Sequence, residues 1–104
     1  MYSLKIDSFC HVMPLNFKKE LFSTVQEEIF LQKNVDSQPS LWDMDRRRRI
    51  MDRYEGLRQI ISIAAPPIEQ FVSDKNKSIE LARLANDEMA ELVHEYPDYF
   101  IAAV

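Results

Sequence analysis

LRQIISIAA, Leu57 to Ala65, is an almost wholly apolar run rich in β-branched residues, and Pro66 and Pro67 stand directly behind it. A short apolar run stopped by proline predicts a strand buried on both faces, as in a parallel sheet covered by helices. The flanking segments fit that reading. Upstream, Asp43 is a good N-cap, and Met44, Ile50, Met51 and Tyr54 form an apolar stripe on a helix over 44–55, with Gly56 as its C-terminal stop. Downstream, Leu81, Ala85, Met89, Leu92 and Tyr96, widened by Ala82 and Val93, recur with a 3.6 period and predict a helix over 73–96 that Pro97 cuts off. Tyr99 to Val104 then reads as another apolar strand.

The first third of the chain begins with a strand. Tyr2 to His11 alternates, with Leu4, Ile6 and Ser8 on one side and Lys5, Asp7 and Phe9 on the other, and it should end near Val12. Pro14 suits a first helical turn, and Phe17, Leu21, Phe22 and Val25 predict a helix over 14–25. Between Gln26 and Pro39 two readings stay open: EEIFLQ either prolongs the helix or forms a short strand, and NVDSQPS reads as loop. Helical segments thus separate three strands, which predicts an α/β fold of βαβ units on a parallel sheet. Three strands cannot close a barrel, and no helix follows the third. The expectation is a single partial domain over 1–104, either the N-terminal part of a larger protein or a chain that completes its sheet as a homo-oligomer.

At 104 residues and 12.3 kDa, with 46% apolar and 29% charged residues, the composition is that of one small globular domain. No apolar run approaches the roughly 18 residues of a membrane span. A net charge of -4 argues against nucleic acid as the main partner. The single glycine, Gly56, leaves no glycine-rich loop for phosphate, and the single cysteine, Cys10, permits neither an internal disulfide nor a cysteine-based zinc knuckle. MYSLKIDSFCHV lacks the layout of a secretion signal, so a cytoplasmic protein is expected.

Several residues invite a chemical reading. His11 stands at the C-terminal end of the first strand, the edge where parallel α/β folds gather ligands and catalytic groups; the bland alternative is an imidazole paired with backbone. Asp7 either orients a ligand or is a solvated structural carboxylate. Cys10 points away from His11 and reads as a small core residue. In Arg46 to Arg49 the basic run is balanced by Asp43, Asp45, Asp52 and Glu55, and the pairs Asp43 with Arg47 and Asp45 with Arg49 suggest a solvated helix; one arginine binding an anionic substrate is the functional alternative. His94 lies near a helix C-terminus with no second ligand spaced to join it, and the methionines, phenylalanines and tyrosines at helical spacing read as core.

Three blocks carry a resemblance. KIDSFCHVMP, Lys5 to Pro14, resembles the opening of the amidohydrolase superfamily, whose barrel begins with a strand ending in a metal-binding His-x-His pair, and most of all its aminocarboxymuconate-semialdehyde decarboxylase-like branch. Leu41 to Pro67 is similar to that branch's Trp-Asp segment and second strand, and Leu81 to Val104 to its long helix, Tyr-Pro and third strand. The resemblance implies about three βα units of a TIM (β/α)8 barrel, belonging to a hydrolase or decarboxylase of a small carboxylated or cyclic compound. It also implies a divalent metal, zinc first, with His11 as a ligand and the remaining histidine and aspartate supplied by later strands. Phe9 occupies the place of the pair's first histidine and cannot ligate a metal. That departure implies a weaker site, a shifted ligand set or a metal-free relative, and an isolated 104-residue chain without activity.

Overall fold

The computed structural model describes residues 3–64 and 67–104, so Tyr2 of the expected first strand, and Ala65 and Pro66 at the end of the second, lie outside the described residues. The elements are β1 (Lys5–Val12), α1 (Leu15–Thr24), α2 (Ile29–Asp36), α3 (Met44–Met51), β2 (Leu57–Ile63), α4 (Lys75–Glu95) and β3 (Phe100–Ala103), with short 3-10 turns at Pro39–Leu41 and Ile68–Gln70. The three strands form one sheet in the order β1-β2-β3, and both neighbouring pairs are parallel. The α/β architecture with a parallel sheet is therefore as expected.

Two of the helices, α3 and α4, begin at side-chain caps. The Asp43 carboxylate accepts from the Arg46 amide at 3.1 Å and Asp74 from the Asn76 amide at 3.0 Å, each satisfying a donor the first helical turn leaves free. The start of α1 is capped from a distance, because Glu88 of α4 accepts from the amides of Phe17 (2.5 Å) and Asn16 (3.2 Å). Gly56 is not the helix stop: α3 ends at Met51, and Gly56 instead takes φ 82° in the turn that feeds β2, where its carbonyl accepts from Lys5 N at 2.9 Å. NVDSQPS is helical as far as Asp36, because Val35, 3% exposed, joins the core and packing overrides the loop-forming tendency of Asn34 and Asp36.

One face of the sheet is covered. Cys10, Val12, Ile61 and Phe100 meet Met51 and Met89 there, while Met13, Phe17, Leu21, Leu81 and Ala85 continue the core between α1 and α4. Full burial of side chains such as Phe17, Ile61, Leu81 and Phe100 contributes about 1.5–3 kcal/mol each. No described element covers the other face. In β2 only Gln59 and Ile61 are buried, so the strand is not covered on both sides as its apolar run predicts. Leu4, Ile6, Phe9 and Ile101 of the strands and their flanks are exposed, as is Tyr54, which the helical spacing assigned to the core.

The open face has a measurable consequence. The chain exposes 6920 Å², where a folded monomer of its mass exposes about 6100 Å². Its radius of gyration is 14.5 Å, against about 13 Å for a compact domain of this length.

Candidate functional site

The end of β1 is shaped by a bulge. Asp7 is paired with Gln59 and Cys10 with Ile61, so three steps along β1 match two along β2. The Asp7 carboxylate accepts from the Phe9 amide at 3.0 Å and holds this turn of backbone. Beyond the bulge, Cys10 and Val12 enter the core while Phe9 and His11 come to the bare face. Asp7 stands opposite Gln59 and His11 opposite Ser62, positions of unlike parity on β2, so the two side chains leave the sheet on opposite sides. Simple alternation, which puts Asp7, Phe9 and His11 on one side, fails at this extra residue.

His11 is held at three points. Its Nδ1 lies 2.8 Å from Ser62 Oγ, its ring meets the edge of Phe9 at a centroid distance of 5.0 Å and an interplanar angle of 74°, and its carbonyl accepts from Arg47 Nη1 at 2.9 Å. Arg47 also donates to Ser40 O and, through Nε, to Gln59 Oε1, both at 2.9 Å. Burial of this guanidinium lowers its pKa, although Asp7 and Cys10 counter the shift in part. Its bonds to His11 and Gln59 tie α3 to β1 and β2, and its bond to Ser40 ties α3 to the turn before it. Arg47 is thus a buried fastener, not a solvated member of an ion pair with Asp43. Asp45 likewise bonds Arg48 at 2.5 Å in place of Arg49.

Cys10 is a core residue, as expected. Its thiol donates to Ile60 O at 3.0 Å, and burial, reinforced by the Asp7 carboxylate and opposed by Arg47, raises its pKa. A protonated, buried sulfur facing away from His11 is a poor nucleophile.

A catalytic metal needs three or four protein ligands, and among the described residues no three His, Cys, Asp or Glu side chains gather to hold one. His94 is exposed in the last turn of α4 with no such partners. Phe9 offers no donor, so His11 by itself does not make a metal site. A groove of about 450 Å³ opens between the starts of α1 and α3 and the C-terminal half of α4, lined by Asp43, Asp45, Glu88, Glu91, Glu95 and Tyr96, and His11 is not among its walls. No described helix is long and apolar enough to cross a membrane.

No family model matches the chain. Over 58 residues, 56% of its length, it is 41% identical to gamma-resorcylate decarboxylase of Rhizobium sp. (strain MTP-10005), and equally so to gamma-resorcylate decarboxylase of Rhizobium radiobacter. The match spans 17% of the length of either relative. It is a distant likeness, compatible with the amidohydrolase superfamily and no finer, and it does not assign the chain to the aminocarboxymuconate-semialdehyde decarboxylase-like branch.

The sequence reading missed Ser62, Gln59 and the inward course of Arg47. The signal for Arg47 was present: Met44, Arg47 and Met51 share one stripe at i, i+3 and i+7. Nothing local marks Ser62, because its role depends on which residue of β1 lies opposite.

Proposed function

We propose that the chain is the N-terminal portion, about three βα units, of an amidohydrolase-type (β/α)8 barrel, a cytoplasmic decarboxylase or hydrolase of a small carboxylated or cyclic compound. The likeness to gamma-resorcylate decarboxylase carries this reading. The placement of His11 supports it, since the residue sits at the C-terminal end of β1 on the uncovered side of a parallel sheet, where barrel enzymes collect their reactive groups. His11 is the contribution of these residues to the active centre. A divalent metal there, zinc by preference, requires ligands from outside the 104 residues, and with Phe9 in the strand a metal-free site is the other form. The 104 residues alone are inactive.

The test is the mass of the native polypeptide in its source cells, by immunoblot with an antibody against α4. A band of roughly 30 kDa or more, the size of a closed barrel, is expected. A band at 12.3 kDa contradicts the reading.

The bare face favours one other reading, a non-catalytic module that self-associates. The surface exceeds that of a compact monomer by about 800 Å², the share each partner buries in an ordinary interface, and β1 and β3 both present open edges. In that case the isolated chain sediments at twice its mass or more, and a sharply melting monomer counts against it.

A further inference from the structure

Ser62 Oγ lies between two groups. It is 2.8 Å from His11 Nδ1 and 3.2 Å from the carbonyl oxygen of Cys10, with the geometry of a donor toward that carbonyl. A serine hydroxyl has one proton to give, and a carbonyl only accepts. If the hydroxyl gave its proton to Nδ1, two oxygen lone pairs would face each other at 3.2 Å with nothing between them. Both contacts are attractive only when Nδ1 carries a proton and donates it to Ser62, which in turn donates to Cys10.

We infer that Ser62 is a positioning residue that holds neutral His11 as its Nδ1–H tautomer and leaves Nε2 as the free acceptor on the bare face. This rests on the reading of His11 as the reactive group of the site. The surroundings restrain the imidazole further: Arg47 fixes the His11 carbonyl and Phe9 abuts the ring. Among the described residues Nε2 has no hydrogen-bond partner, so its lone pair is the one directed acceptor His11 offers to a ligand proton or an electron-poor centre. A partner on one ring nitrogen that sets the role of the other is the usual way a protein commits an imidazole to a single task.

The experiment is long-range proton–nitrogen NMR of the ¹⁵N-labelled chain at about pH 9, where an ordinary imidazole is neutral. His94, exposed and among the described residues in no comparable pairing, is the internal reference. The wild type is expected to show His11 protonated at Nδ1. Ser62→Ala should lose that pattern and move His11 toward the spectrum of His94, while the amide fingerprint away from β1 and β2 stays in place. Ser62→Thr, which keeps the hydroxyl on a β-branched residue suited to a strand, should restore it. A wild-type His11 protonated at Nε2, a Ser62→Ala spectrum that keeps the Nδ1 pattern, or a Ser62→Thr chain that fails to restore it overturns the inference. No substrate or metal enters this readout, so a failed catalytic role for His11 and a wrong tautomer are told apart.

Discussion

The helix-covered and bare faces of the sheet are made by the same three strands and obey different rules. On the covered face the buried side chains are apolar or hydrogen-bonded: Ile61 and Phe100 are 0% exposed, and the buried guanidinium of Arg47 donates to Ser40, His11 and Gln59. On the bare face Phe9 is 82% exposed, and His11 keeps a ring nitrogen free. Stability is concentrated on the first face and chemical opportunity on the second. What links them is the backbone of β1, whose bulge passes from Asp7 on one side to His11 on the other.

The sharpest contrast is between two phenylalanines. Phe100→Ala should cost about 3–5 kcal/mol by opening a cavity in a closed core, whereas Phe9→Ala should stay within about 0.5 kcal/mol. Urea unfolding midpoints of the two variants measure the difference, and equal costs would mean that the bare face is covered in solution.

Two neighbouring arginines provide the next test. Arg47→Met leaves the buried Gln59 side chain and the partly buried His11 and Ser40 carbonyls without their donor, at about 1–3 kcal/mol for a buried group left unpaired. Arg48→Met removes a partly exposed partner of Asp45, and a surface pair of this kind is worth less than about 1 kcal/mol. Thermal melts of both variants should rank them in that order.

Asp43→Ala should cost about 1 kcal/mol, the usual loss for a missing cap, and circular dichroism melts will read it.

The smallest effect concerns Cys10. Because folding raises its pKa, the folded chain favours the thiol over the thiolate. That contribution is intact below the ordinary thiol range near about 8.5 and is lost as pH rises through the raised value. The alkaline decline in stability should therefore be slightly shallower in Cys10→Ala, and Cys10 should react with Ellman's reagent at about pH 8 more slowly than free cysteine.

Most of the covered face was legible in the sequence, because it is written in periodicity. Leu81, Ala85 and Met89 at four-residue spacing place α4 against the sheet, and Asp43 marks the start of α3. The bare face was less legible. An apolar run such as LRQIISIAA reports that a strand is hydrophobic, not how many of its sides have a neighbour, so Ile60 and Ser62 looked as buried as Ile61. The bulge after Asp7 adds one residue to a pattern of period two, and no turn residue announces it. Arg47 hid inside a run of four arginines whose helical phase, not its charge, decides which one turns inward. The contact of His11 with Ser62 spans 51 residues and depends on strand register, which the sequence pattern did not specify.

The most direct test of the reading proposed above is the turnover of small carboxylated and cyclic compounds by the native protein purified from its source cells, compared with the same protein carrying His11→Ala. The expected result is decarboxylation or hydrolysis by the unaltered protein and a loss of at least about 100-fold on substitution, the scale of a lost proton-transfer group, with the melting temperature little changed. Equal rates from both proteins would show that the bare face contributes nothing to the chemistry and that His11 is a strand-end histidine paired with Ser62.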